Sequence, residues 1–162
     1  MRHKLMRDGI VAGMLGATAV AVWFLGVDML YAQPLATPTA LGRGLLRLFG
    51  PIDGTSNAMF IVAYTVFHYA AFIAAGLLVS LIVHTAQTHP PVLAGAMMLF
   101  VAFELGFYGI SSALSESPFL GALGWAQVAT GNVIAALVMG VYMWRTHPEL
   151  KGELAVALGG EE

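Results

Sequence analysis

The sequence contains no cysteine and few charged residues. Asp, Glu, Lys and Arg make up 10% of its 162 residues, whereas soluble domains carry about 25%. The absence of cysteine excludes disulfides, thiolate metal ligands and a cysteine nucleophile. A net charge of −2 provides no basic surface for nucleic acid. We therefore expect neither a disulfide-stabilised domain nor a nucleic-acid partner.

Apolar residues, in contrast, make up 59% of the chain. A soluble domain of this size could not bury that much apolar surface, but a lipid bilayer is itself apolar. Four apolar runs reach the length of about 20 residues that a spanning helix needs, and a polar tail over residues 146–162 follows them. We predict one all-α membrane domain, with four transmembrane helices in an up-down bundle, at residues 10–32, 59–83, 92–114 and 119–144.

The basic residues predict the orientation of these spans. Five Lys and Arg residues precede the first run or follow the fourth, two lie between the first and second, and none lies between the second and third. The positive-inside rule then places both termini in the cytoplasm, which an even number of spans allows. We expect a multi-pass protein of a bacterial inner membrane.

A secretory signal peptide is the alternative interpretation of the first run. Its basic start fits a signal peptide. However, its apolar stretch exceeds the usual length of about 7–15 residues, and Leu30-Tyr31-Ala32 is a poor cleavage site. These features favour a retained membrane span.

The longest connection carries the pattern of a short amphipathic helix over residues 37–49. Thr37 can cap its start, and Pro38 suits the first helical position. Its leucines and phenylalanine fall on one face, while Arg43 and Arg47 lie four residues apart on another. We predict an interfacial helix between the first two spans, whose arginines contact lipid phosphates or form a lid over the bundle.

Small residues recur at a similar spacing in the first and fourth runs. Gly13 and Gly16 in the first run match Gly121 and Gly124 in the fourth. Small residues at such a spacing let transmembrane helices approach closely. We interpret the likeness as helix packing rather than as duplication.

Four polar residues inside the apolar runs are the candidate functional residues. A charged group at mid-bilayer costs at least ~2.5–3.5 kcal/mol, so such residues face the bundle interior and find partners. His68, Glu104 and Gln127 lie roughly 12–15 Å from the outer ends of their spans, and Asp28 lies roughly 6 Å from the end of its own. The first three are therefore predicted to meet at one level in the membrane.

Other polar side chains lie one helical turn from these residues and extend the same faces. We predict a polar cluster in which His68 and Glu104 come close enough to share a proton, a water or a metal. Its members are His68, Glu104, Gln127, Tyr64, Thr65, Tyr108 and Thr130.

The cluster has a structural and a functional interpretation. As structure, its hydrogen bonds would hold helices together, each by about 0.6 kcal/mol on average, and Asp28 would cap a helix or pair with Arg43 or Arg47. As function, His68 and Glu104 would carry protons or small cations, with Asp28 as the outer mouth. The leading prediction is a non-enzymatic protein that binds or passes protons or small ions, or an accessory subunit in a homo-oligomer or larger membrane complex.

A metal- or haem-dependent redox protein is the alternative. His68, Glu104 and Asp28 could ligate a divalent metal, because imidazole and carboxylates suit several transition metals. The sequence lacks a close helical ligand pair such as His-Glu-x-x-His. A haem with two axial histidines fits less well, because only His68 lies in the core of a span. His147 is expected to be solvated on the cytoplasmic side.

Overall fold

The computed structural model of the protein describes residues 2–86, 89, 91–92, 96, 98 and 124–148. This part of the chain contains the four helices α1 (Arg2–Leu30), α2 (Ala36–Arg47), α3 (Asn57–Ala86) and α4 (Trp125–Thr146). Three of them, α1, α3 and α4, are long and apolar enough to cross a membrane. The all-helical prediction is confirmed, and these three helices have the length and composition of membrane spans.

The helix boundaries differ from the predicted spans mainly at the start of α1. This helix begins eight residues before the first apolar run, because its basic first residues are good helix formers without a breaker. Of the predicted third span, only Val92, Ala96 and Met98 are described, and all three have helical backbone. The rest of that span, residues 119–123 and residues 149–162 lie outside the described residues.

Helix α1 is the centre of the arrangement, since it packs extensively on both α3 and α4 while those two touch each other little. Leu5 of α1 lies beside Ser80 of α3, and Ala17 lies beside His68, so α3 runs antiparallel to α1. Contacts of α4 with α1 show the same antiparallel order. The end of α3 and the start of α4 therefore lie at opposite ends of the bundle.

Glycines bring the backbones of α1 and α3 into direct contact. A Cβ atom added at Gly13 would overlap the carbonyl oxygen of Phe72, and one added at Gly76 would overlap that of Gly9. Gly16 faces the side chain of Met139 of α4, whose sulfur lies 2.7 Å from the position of an added Cβ atom. Close approach of this kind is how small residues hold transmembrane helices together. The packing interpretation is thus confirmed for Gly13 and Gly16.

Helix α2 forms where the amphipathic pattern predicted it, but it starts differently. Leu35 occupies the N-cap position in a left-handed conformation (φ 66°), with no side-chain cap bond. Thr37 therefore lies inside the first turn, and its prediction as the cap is wrong. Gly42 sits against the backbone of Phe60, where no Cβ atom would fit. This contact explains a glycine that lowers helix propensity in the middle of α2.

The apolar face of α2 is shorter than predicted because the helix ends at Arg47. Leu41 and Leu45 are half-buried against the bundle. Leu48 and Phe49 follow the helix and are 81% and 82% exposed. A position of α2 along the membrane surface stays a prediction.

Candidate functional site

His68 is buried between α1 and α3, with 8% of its surface exposed. Its Nε2 atom lies 3.0 Å from the carbonyl oxygen of Ala17, and its Nδ1 atom lies 3.3 Å from the hydroxyl of Tyr64. The ring also packs against Phe72, at 4.8 Å between ring centres, and edge-on against Tyr69. His68 is therefore a hydrogen-bonded link between two helices.

These partners define where the imidazole carries its hydrogen. A carbonyl oxygen can only accept, so Nε2 must donate to Ala17. In the neutral ring, Nδ1 is then an acceptor and receives the hydroxyl hydrogen of Tyr64. Both nitrogens of His68 are thus engaged inside the protein. A metal ion could bind this side chain only after one of the two hydrogen bonds was broken.

Asp28 is the second buried polar residue of the predicted set, with 5% of its surface exposed. The backbone N–H of Thr37 donates to Oδ2 at 2.9 Å, and the hydroxyl of Thr37 donates to Oδ1 at 2.6 Å. Because the first N–H groups of a helix have no partner within the helix, Asp28 satisfies one of them for α2. The capping alternative predicted for Asp28 is the one observed.

The two arginines of α2, Arg43 and Arg47, do not pair with Asp28 through any described contact. The guanidinium of Arg43 lies over the ring of Phe60, 5.3 Å from its centre, which is a cation–π geometry. Arg47 is exposed in the last turn of α2. A role in lipid contact or as a lid stays a prediction for both.

The turn between α1 and α2 adopts an unfavourable backbone that the Asp28 contacts hold in place. Ala32 (φ 54°) and Leu35 (φ 66°) are both left-handed. This conformation costs roughly 1–2 kcal/mol for each residue other than glycine. Thr37, after the turn, donates two hydrogen bonds to Asp28, before the turn. These bonds hold the two ends of the turn together.

One groove connects the surroundings of Asp28 with those of His68. It has a volume of about 300 Å³ and lies between α1, the start of α2 and α3, with mostly apolar walls. Tyr64 and Thr65, two further members of the predicted cluster, line it as well. So do Thr18 and Tyr69, whose hydroxyl oxygens are 3.0 Å apart and which the sequence analysis did not single out.

Other members of the predicted cluster have other neighbours. The backbone carbonyl oxygen of Gln127 accepts a hydrogen bond from the indole N–H of Trp23. Trp23 lies six residues, roughly 9 Å along α1, from Ala17, which is the partner of His68. Thr130 is exposed and donates to the carbonyl of its own helix. Glu104 and Tyr108 lie outside the described residues. Within the described ranges, no three His, Asp or Glu side chains are grouped as a metal site would need.

A second polar site lies at the opposite end of α1 and was missed in the sequence. Asp8 is fully buried, and its Oδ1 atom accepts from the guanidinium of Arg7 at 3.1 Å. Its Oδ2 atom has no hydrogen-bond partner among the described residues and lies 3.8 Å from Nε2 of His147. The hydroxyl of Tyr142 lies 3.5 Å from Oδ1.

The surroundings of Asp8 correct one prediction. His147 is 6% exposed, so the expectation that it is solvated is wrong. The reason is that Asp8 and His147 approach each other from helices that are far apart in sequence. The one signal available in the sequence was an acidic residue just before the first apolar run, four positions from Ala12 and so on the same helix face.

Comparison of the chain with protein-family models, with curated proteins and with solved structures finds no match. The groove and the buried polar groups are therefore the features that bear on function. The groove joins Asp28 and His68, two residues that the sequence had singled out.

Proposed function

We propose that this chain is a non-enzymatic, multi-pass protein of the bacterial inner membrane that binds or passes protons or small cations. The groove between α1 and α3 would be the route, with Asp28 at its outer mouth and His68 at its inner end. The observation that carries the proposal is that one groove is lined by both residues. Concave, mostly apolar sites with a few convergent polar groups are where small ligands bind.

A four-span topology belongs to this proposal, and the helix directions support it. The end of α3 and the start of α4 lie at opposite ends of the bundle. A crossing by residues 92–114 would connect them. The excess of Lys and Arg at both chain ends supports termini in the cytoplasm, which places Asp28 on the outer side.

The charge of the described groove favours a cation or a proton over an anion. Asp28 is its one carboxylate, and no Lys or Arg is among its described lining residues. Both oxygens of Asp28 accept hydrogen bonds from Thr37, as the oxygens of a carboxylate do. The groove thus has an acidic side chain at one end and neither Lys nor Arg along its described lining.

Glu104 is a further candidate residue because of the depth in the membrane that the sequence predicts for it. On a helix over residues 92–114 it would lie roughly 15 Å from the outer end, close to the level expected for His68. An ionisable residue inside a span is a functional candidate by default. Four helices enclose little volume, so passage across the whole membrane would require several copies.

Proton flux into liposomes tests the proposal. The purified protein in liposomes with an internal pH-sensitive dye is expected to conduct protons. His68→Gln and Glu104→Gln keep the size of each side chain and are expected to remain folded while flux falls to that of empty liposomes. Ser80→Ala, at the other end of the bundle, is the control and should conduct normally.

Two outcomes would contradict the proposal. Wild-type protein that conducts neither protons nor alkali cations above empty liposomes would remove it. Unchanged flux in both glutamine variants would show that the polar residues only hold helices together.

A further inference from the structure

At the inner end of the groove, the polar hydrogen atoms already form hydrogen bonds within the protein. Nε2 of His68 donates to the carbonyl of Ala17, and the hydroxyl of Tyr64 donates to Nδ1 of the neutral ring. The oxygen of Tyr64 still has lone pairs that can accept a hydrogen bond. On this wall the groove therefore offers acceptors.

The remaining hydroxyls of the groove follow the same rule. Thr18 donates its one hydrogen to the carbonyl of Met14 at 2.8 Å, so Tyr69 must be the donor in the contact between Thr18 and Tyr69. Thr65 donates to the carbonyl of Ile61 at 2.7 Å. A polar group that enters the groove must consequently bring its own hydrogens.

A carboxylate and an aromatic side chain in the lining at the outer end point to a positive ligand. Each oxygen of Asp28 accepts one bond from Thr37 and can accept another. Phe24 lies one helical turn from Asp28 on α1, and both line the groove. A carboxylate beside an aromatic ring attracts an organic cation by charge and by cation–π interaction.

We infer that the groove binds an amphipathic organic cation, with an ammonium head beside Asp28 and Phe24 and an apolar body along α1 and α3 towards Tyr69. The lining of α1 extends from Thr18 to Asp28, which is roughly 15 Å along the helix and comparable to a medium-length alkyl chain. The inference rests on the proposed function in that both place a cation at Asp28.

Four amphiphiles with the same dodecyl chain distinguish the effects of head-group charge, of head-group hydrogen-bond donors and of apolar contact on binding. They are dodecylammonium, dodecyltrimethylammonium, dodecanol and dodecyl sulfate, measured by equilibrium dialysis against the protein in nanodiscs, with empty nanodiscs correcting for partition into lipid. We expect saturable binding of dodecylammonium and severalfold weaker binding of dodecyltrimethylammonium, which has no hydrogen to donate. Dodecanol and dodecyl sulfate should show no excess over empty nanodiscs.

Variants then locate the head group. Asp28→Asn should lower the affinity for dodecylammonium by about tenfold or more, because a charge-assisted bond is lost. Since Asp28 also anchors α2, a second variant is needed that leaves this anchor intact. Phe24→Leu should weaken both ammonium ions by roughly threefold through loss of the cation–π contact. Phe67→Leu is its matched control, because Phe67 is 54% exposed and does not line the groove.

The outcomes distinguish this inference from the proposed function. Equal binding of all four amphiphiles, or equal losses in Phe24→Leu and Phe67→Leu, would overturn it and leave the groove a lipid-facing surface. Proton flux without any preference for dodecylammonium would sustain the proposed function alone. A preference for dodecylammonium without flux would sustain the organic-cation site alone.

Discussion

The two ends of α1 each bury a carboxylate, and the two carboxylates are held in opposite ways. Asp28 accepts a hydrogen bond on each oxygen, both from Thr37. Asp8 accepts from Arg7 and Tyr142 on one oxygen, while its other oxygen has no hydrogen-bond partner in the described part of the chain and lies 3.8 Å from Nε2 of His147. A buried charge with satisfied hydrogen bonds can stabilise a fold, whereas an unsatisfied one costs free energy. We therefore expect the Asp28 end to be the stronger structural anchor.

Backbone packing adds to this difference between the ends. At the Asp28 end, Gly42 presses α2 against the backbone of Phe60. At the Asp8 end, the ion pair between Asp8 and Arg7 involves an arginine side chain that is 70% exposed. Exposed ion pairs contribute little to stability. Three sets of substitutions, taken from the largest expected effect to the smallest, test how far the two ends differ.

The largest effect is expected from Gly42→Ala. A methyl group there would overlap the carbonyl oxygen of Phe60, so α2 would have to move away from α3. We expect the free energy of unfolding to fall by about 2–3 kcal/mol, as for other overpacked sites. Unfolding of the purified protein by SDS in mixed micelles measures this change.

Gly140→Ala is the matched control for that variant. Gly140 lies within α4 and has nothing within 4 Å of the position of an added Cβ atom. Alanine is the better helix former, so this variant should gain about 0.5–1 kcal/mol. Changes of the same sign in both variants would refute the close contact between α2 and α3.

A smaller loss of stability is expected from Asp28→Asn, and no loss is expected from Asp8→Asn. Asp28→Asn offers Thr37 only one acceptor for two buried donors, so it should lower stability by about 1–3 kcal/mol. Asp8→Asn keeps an oxygen for Arg7 and points amide hydrogens towards Nε2 of His147. It should therefore be neutral or stabilise the protein by up to about 1 kcal/mol.

The same SDS unfolding assay compares the two asparagine variants. Equal losses would show that Asp8 is anchored as firmly as Asp28, and the contrast between the ends would be wrong. A loss confined to Asp8→Asn would reverse it.

The smallest effect is expected from Ser80→Ala at the Asp8 end. Its hydroxyl donates to the carbonyl of Leu5 across α1 and α3 at 2.9 Å. Side-chain bonds between helices in a membrane average about 0.6 kcal/mol, so the loss should be of that order. Thr39→Ala is the control and should change stability less, because the hydroxyl of Thr39 bonds locally to the carbonyl of the N-cap residue Leu35 and joins no second helix. A loss above that of Asp28→Asn would make the Asp8 end the stronger anchor.

The sequence indicated part of the candidate site. His68 and Asp28 stood out because polar residues are rare in apolar runs, and the structure finds both buried. Tyr64 was found because residues four apart share a helix face. Tyr69 and Thr18 were not, because adjacent or exposed hydroxyls carry no such signal until the facing helix is known.

By itself, the sequence determined the helical class, the apolar segments that became α1, α3 and α4, and the helix over most of residues 37–49. Length, composition and periodicity need no partner, so they can be read locally. Only the tertiary structure decided that Asp28 anchors α2, that His68 donates to a backbone carbonyl of α1, and that Asp8 meets His147. Backbone carbonyls occur at every residue and have no sequence signature, and the rotation of packed helices selects which of them a side chain reaches.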